Sequence, residues 1–204
     1  MRNLVYYTDA KALFTAAAYG WSDNAQVGDG TSRGIEFCYD GNLPAVDLSW
    51  NLAYTWSKTD RRFPGINGGR AFPARYDRRH VLNAGAQWKG FSATFTLQSG
   101  HWETVAAGQY SGYLPDGQEV LLDWFSHPNN WQMPTYIRFD IGYTADFTTG
   151  GGSFRQLVHS VTAGIFNVLN RHNPSMLAYD TATKTWNLIS LFPVMPSLKY
   201  SLAF

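Results

Sequence analysis

The longest stretch without a strand-like rhythm, residues 99–134, holds the side chains best suited to chemistry. They are His101, Trp102, Glu103, Tyr110, Tyr113, Asp116, Glu119, Asp123, Trp124, His127 and Trp131. Aromatic faces stack on sugars and on aromatic chelates, and exposed loops carry function on a rigid scaffold. Trp102, Tyr110, Tyr113, Trp124 and Trp131 are therefore the candidate ligand-binding residues. The competing reading is that these rings pack loop against loop. His101, Glu103 and His127 carry metal-donor atoms, but their spacing matches no strong ligand motif, so no metal is expected. No phosphate-binding G-x-x-x-x-G-K-[ST] loop is present, and the glycine run 150–152 lacks a following helix, so no cofactor is expected. Ser, His and Asp occur without a nucleophile elbow or other shared geometry. Asp140 and Asp146 are six residues apart on one strand face, roughly 20 Å. Glycosidase carboxyls stand within about 10 Å. The chain is read as non-enzymatic.

The elements that must position these residues follow from composition and period. Of 204 residues, 15% are charged and 16% aromatic, with 8 Trp, 12 Tyr, 13 Phe and a net charge of +1. A disordered chain would be charge-rich and aromatic-poor. A nucleic-acid partner usually needs a basic face, and none is expected here. The single cysteine, Cys38, excludes a disulfide framework and a Cys-rich metal site. No segment reaches 18 consecutive apolar residues, so no transmembrane helix is expected. Residues 1–7 (MRNLVYY) do not read as a secretory signal.

Val46, Leu48, Trp50, Leu52, Tyr54 and Trp56 occupy every second position, between Asp47, Ser49, Asn51, Ala53 and Thr55. This period predicts one long strand with one apolar face. The same code returns at Ile137, Phe139, Ile141, Tyr143, Ala145 and Phe147, and at Phe91, Ala93, Phe95 and Leu97. It closes the chain at Leu198, Tyr200, Leu202 and Phe204. Weaker strands are expected at residues 2–8, 34–39, 81–88 and 157–169, making eight. The only helix-like stretch is 10–19 (AKALFTAAAY).

Short and long connections alternate. Residues 40–44, 89–90 and 148–153 are tight turns, and the glycine of Lys89-Gly90 is expected to supply a positive φ. Residues 9–30, 58–78, 99–134 and 170–193 read as long loops, which compact soluble domains rarely contain in such number. Transmembrane barrels do, with short periplasmic turns and long extracellular loops. Trp and Tyr at strand ends suit a girdle at headgroup depth. A lipid-facing Lys or Arg at the midplane costs roughly 2–4 kcal/mol, and the apolar faces carry almost none. A soluble β-sandwich would turn the apolar face inward and show Lys and Glu outward. Here the second face is mostly Ser, Thr, Asn, Gln and Gly.

Arg61, Arg62, Arg70, Arg75, Arg78 and Arg79 form a basic run with only Asp60 and Asp77 as acids beside them. One reading is contact with an anionic ligand or lipopolysaccharide phosphate. The favoured one is ion pairing within the wall, Asp77 with an Arg neighbour. Cys38, between Phe37 and Tyr39, reads as a small lumen-side residue.

Residues 72–80 (FPARYDRRH) resemble the "P-x-x-YDRRH" segment of TonB-dependent outer-membrane receptors of the Bacteroidetes type. Residues 167–174 (NVLNRHNP) resemble their "N-V-x-N-R-x-N-P" segment, and 190–204 (SLFPVMPSLKYSLAF) their carboxy-terminal strand. Residues 27–37 (VGDGTSRGIEF) resemble their "G-x-S-x-G-x-E" strand. The resemblance implies a barrel of about 22 strands around a plug, of which residues 1–204 match the last eight or so, without plug or TonB-contacting box. It implies uptake of a scarce nutrient (iron chelate, cobalamin, glycan or peptide), with TonB reached only through the missing plug. The nutrient itself is unknown from sequence.

The expected fold is all-β: an antiparallel transmembrane β-barrel segment of about eight meandering strands, located in the cell outer membrane. Val46, Leu48, Trp50, Leu52, Tyr54, Trp56, Phe91, Phe95, Leu97, Ile137, Phe139, Ile141, Tyr143 and Phe147 are expected to face lipid. Leu198, Tyr200, Leu202 and Phe204 are the expected signal to the barrel-assembly machinery. The alternative is a stand-alone eight-stranded outer-membrane barrel, acting as a structural protein, adhesin or enzyme.

Overall fold

The computed structural model describes residues 3–8, 25–150, 156–180, 183 and 185–203. Arg2, the helix-like stretch 10–19, residues 151–153 of the 148–153 turn and Phe204 lie outside these. The strands in chain order are β1 (Asn3–Thr8), β2 (Ala25–Leu43), β3 (Leu48–Arg62), β4 (Phe72–Pro73), β5 (His80–Trp88), β6 (Phe91–Gln98), β7 (Trp102–Glu103) and β8 (Gly108–Tyr113). They continue as β9 (Glu119–Trp124), β10 (Trp131–Gln132), β11 (Tyr136–Thr149), β12 (Leu157–Phe166), β13 (Pro174–Asp180), β14 (Thr185–Ser190) and β15 (Met195–Ala203). The described residues hold no α-helix, only two 3-10 turns at Pro44–Val46 and Asn67–Gly69. The main sheet runs β1-β2-β3-β5-β6-β11-β12-β15, with β4 on β3, and small two-stranded sheets pair β7 with β10, β8 with β9 and β13 with β14. All recorded pairs are antiparallel. The fold is the expected all-β antiparallel meander, suited to a β-barrel segment.

The chain forms two compact units: Met1–Gly34, Ser57–Arg79 and Gly100–Met133 in the first, Ile35–Trp56, His80–Ser99 and Pro134–Phe204 in the second. In the second unit the register joins the apolar periods of separate strands into one face. Leu52 lies opposite Ala84, Ala84 opposite Phe95 and Phe95 opposite Phe139. Further along, Tyr143 pairs with Ala163 and Ala163 with Leu198. Directly opposed residues point to the same side of a sheet, and a one-residue slip would exchange the faces. The other face carries Ala53, Asn83, Thr96 and Arg138 in one row of pairs. A Cβ on Gly41 would overlap the Trp50 ring, which puts odd-numbered β2 residues on the apolar side. Cys38 is therefore on the polar side with Glu36, whose Oε1 accepts from Thr55 Oγ1 at 3.4 Å.

No apolar side chain of the second unit is buried among the described residues, while Phe91 is 55% and Leu198 78% exposed. A sandwich would cover this face with a second sheet. The buried apolar residues, Phe63, Phe72, Ala74 and Met133, all belong to the first unit. The Phe63 and Phe72 rings lie 6.1 Å apart, and Gly28 has no room for a Cβ against the Phe63 ring.

Several boundaries differ from expectation. Val46 is not a strand residue: Pro44 starts a 3-10 turn that holds it, and Asp47 closes the turn in the left-handed region at φ 54°. β2 begins at Ala25, because pairing with β1 extends a polar, Gly-rich segment that lacks a period of its own. β12 stops at Phe166, since Asn167 and Asn170 take positive φ of 55° and 48°. The long connections are not structureless, for they contain the β8–β9 and β13–β14 hairpins. At the two-residue turn, Lys89 rather than Gly90 has positive φ, 53°. Gly90 is needed for space: a Cβ there would overlap the Thr144 carbonyl and the Tyr143 ring.

Candidate functional site

The first unit gathers the sequence's basic run and the base of the longest connection around a cleft of about 370 Å³. Arg61, Phe72, Arg75, Glu103, Thr104, Pro128 and Asn129 line it. Pairing of Arg61 with Phe72 brings β4 to the upper part of β3. The long connection is then tied down at its base. Trp102 donates its N–H to the Arg75 carbonyl at 2.8 Å. Asn129 Nδ2 donates to the Pro73 carbonyl at 2.7 Å. Asn130 makes two bonds with the Val105 backbone, accepting its N–H at 2.8 Å and donating to its carbonyl at 2.7 Å. Met133 donates its N–H to the His101 carbonyl, where Gly100 leaves no room for a Cβ.

Glu103 is the electrostatic centre. Its Oε1 accepts from Arg75 Nη2 at 2.7 Å and Arg75 Nε at 3.1 Å. His101 Nε2 lies 3.1 Å from the same oxygen. The carboxylate is thus engaged by a guanidinium, and His127 turns to the Pro128 carbonyl at 3.0 Å instead of joining it. His101 and Glu103 meet; His127 does not complete a ligand set with them. Two Arg and one Glu give the cleft a net positive lining. Arg61 Nε and, next to Glu103 in β7, Trp102 Nε1 are buried with no hydrogen-bond partner among the described residues. Orphaned buried donors are rare and call for an explanation.

The rest of the basic run is placed individually. Arg79 Nη2 pairs with Asp77 Oδ2 at 3.2 Å, and Asp77 Oδ1 accepts the Thr59 N–H at 2.7 Å. The expected Asp77–Arg ion pair is there. Arg62 Nε donates to the Gly69 carbonyl at 2.6 Å, and Arg70 Nε to the Asn67 carbonyl at 3.3 Å. The Arg61 guanidinium stands over the Tyr76 ring, 5.3 Å from its centroid.

The five aromatic candidates do not form one surface. Tyr110 lies opposite Leu122, and Trp124 opposite Gly108, so Tyr110 and Trp124 share one face of the β8–β9 hairpin. Tyr113 is on its other face. Trp131 lies opposite Glu103 and Trp102 opposite Gln132, on opposite faces of the short β7–β10 ladder. Tyr110, Tyr113 and Trp124 are exposed; Trp102 and Trp131 are half-buried.

Sequence reasoning missed the asparagines that hold the 167–174 motif in the second unit. Asn167 donates its N–H to Asp140 Oδ1 at 2.8 Å and its Nδ2 to the Arg171 carbonyl at 3.0 Å. Asn173 takes the Ile137 N–H at 2.9 Å and returns Nδ2 to its carbonyl at 2.8 Å. Asp140 also pairs with Arg138 at 2.9 Å, and Arg138 lies 4.3 Å from the Phe166 ring centroid. The signal was in the motif, because Asn tolerates left-handed backbone and mimics a strand partner.

No curated protein and no solved structure matches the chain. A family model described as TonB dependent receptor-like, beta-barrel, matches residues 3–168. That match takes in the long strands β1 to β12, the cleft and the start of the asparagine motif. With most of its length accounted for in this way, the chain belongs to the β-barrel family of TonB-dependent receptors, the receptors and transporters of the outer membrane.

Proposed function

We propose that the chain is the carboxy-terminal wall of an outer-membrane receptor that takes up a scarce nutrient by a TonB-driven route. On this reading the plug that meets TonB lies outside residues 1–204. The observation that supports it best is the one-sided apolar face running unbroken from β3 to β15 through five strand pairs. Leu48, Trp50, Leu52, Tyr54, Trp56, Phe91, Phe95, Leu97, Ile137, Phe139, Ile141, Tyr143 and Phe147 face lipid in this reading, and Val46 sits at the turn below them. Leu198, Tyr200 and Leu202, with Phe204 after them, present the assembly signal.

The cleft and the hairpin face bearing Tyr110 and Trp124 would contact the nutrient, an iron chelate, cobalamin, glycan or peptide. The positive lining favours a ligand with an anionic group, because charge-assisted bonds to Arg are the stronger ones. A stand-alone eight-stranded barrel fits less well. Its interior must be filled by side chains, and the polar face here is rich in Ser, Thr and Gly.

The test is fractionation followed by uptake. The protein carrying these residues should remain in the outer-membrane fraction and need detergent to stay monodisperse. Arg75→Ala should raise the half-saturating nutrient concentration about tenfold or more, with membrane yield unchanged. A soluble monomer without detergent would overturn the membrane reading.

A further inference from the structure

The apolar face of the second unit is not uniform. Near the Lys89–Gly90 turn it is hollowed into a groove of about 450 Å³ crossing β5, β6, β11 and β12. The floor is made of small side chains, Ala86, Ala93 and Ala163, which the register sets in neighbouring rows. One rim is aromatic: Trp88 and Phe91 are stacked with centroids 6.1 Å apart, and Phe91 meets Tyr143 at 4.6 Å. Ile141 and Ile165, opposite one another across β11 and β12, form the far side. The lining carries almost no polar surface, so water gains little there and an alkyl chain gains much.

A cation stands at the aromatic end. Lys89 Nζ lies 5.4 Å from the Trp88 ring centroid. Its backbone is fixed by the turn, with Lys89 N–H donating to the Asp47 carbonyl at 3.0 Å. Among the described residues no ion pair involves Lys89, the Asp47 carboxylate included. A cation–π contact leaves ammonium donors free for an anion. Trp and Tyr rings sit at headgroup depth in a membrane, so an aromatic rim beside a free cation marks where a polar head meets an apolar tail.

We propose that this groove is a specific site for one glycerophospholipid, its acyl chain lying on the alanine floor and its phosphate held by Lys89. The inference rests on the reading that the apolar face meets lipid. It goes further in that most of that face would exchange lipid freely, while this groove would retain one molecule. The occupant is a phospholipid because the hollow is apolar along its length and cationic at one end only. A second copy of the chain would have to fit its own bulky side chains into a hollow floored by alanines.

The test is native mass spectrometry of the intact protein, extracted in mild detergent and washed until bulk lipid is gone. A single phospholipid adduct should survive on the wild type. Ala93→Leu, which fills the floor, should cut the retained fraction at least tenfold. Ala163→Leu does the same from β12 and serves if the first variant assembles poorly. Lys89→Asn, chosen because Asn accepts a positive φ, should weaken retention severalfold and remove its salt dependence. Equal retention by wild type and both leucine variants would overturn the proposal, as would a wild type that washes free of lipid. A lipid-free dimer dispersed by Ala93→Leu would overturn it in favour of a second copy. A protein soluble without detergent would instead overturn the membrane reading beneath it, so the two failures are distinguishable.

Discussion

Asp77 is a buried anchor of the first unit. It is 2% exposed and binds both the Thr59 N–H, on the neighbouring strand, and the Arg79 guanidinium. Removing one partner of a buried pair costs more than the pair was worth, because the other group is left without a partner in a poorly solvated place. Asp77→Ala should therefore destabilise the protein by about 3 kcal/mol, read from urea unfolding in detergent. Asp77→Asn keeps one acceptor and should recover part of the loss. An unchanged unfolding midpoint for Asp77→Ala would show that the pair is dispensable. The Arg79 contact was legible in the sequence, because the two residues are neighbours in the YDRRH segment. The Thr59 contact was not, since it exists only after β3 is brought beside that segment. The same distinction separates the His101–Glu103 contact, between residues two apart in the sequence, from Arg75, whose role depends on how the long connection folds back. It also explains His127, which had the right chemistry for a metal but a local carbonyl for a partner.

At the level of elements, the strands were readable wherever one face is apolar and the other polar. β3, β6, β11 and β15 announce themselves by period, and their registers then follow from keeping like faces together. The polar first half of β2 has no such pattern and takes its conformation from its partners. The β8–β9 hairpin could have been found: Pro115-Asp116-Gly117 is turn chemistry, Gly117 has φ 84°, and Asp116 Oδ1 accepts the Gln118 N–H at 3.0 Å. It was hidden because its strands, GQYSGY and EVLLDW, do not alternate cleanly. The hairpin makes the aromatic candidates testable as faces. Replacing Tyr110 and Trp124 together by Ser should lower nutrient affinity about tenfold or more, while Tyr113→Ser, on the other face, should matter less. Equal losses from both faces, measured by ligand titration, would argue that the rings serve loop packing instead.

For the whole molecule, the two faces of the second unit predict opposite responses to the same charge. Phe95→Lys places a cation on the apolar side, and near the bilayer midplane this costs roughly 2–4 kcal/mol. Thr94→Lys, one residue away, points to the polar side, where Thr94 already bonds Asp140 at 3.4 Å, and should change stability little. Equilibrium unfolding of both variants in the same lipid or detergent distinguishes the faces, and equal effects would remove the basis for assigning one side to lipid. That the buried apolar residues, among the described ones, all lie in the first unit was not visible in the sequence, since Phe63 and Phe72 look like loop residues until β4 pairs with β3. The meander has a consequence for how such receptors diversify. Because each long strand of the main sheet lies beside the one before it, no ladder bond depends on how long the connection between them is. Doubling a flexible connection adds only about 0.6 kcal/mol of closure entropy. Natural selection can thus lengthen, shorten or exchange the β8–β9 and β13–β14 hairpins, which lie beyond the anchoring residues Asn130 and Asn173, as freely as words are changed in a fixed metre, and new specificities arise at little risk to the wall that carries them.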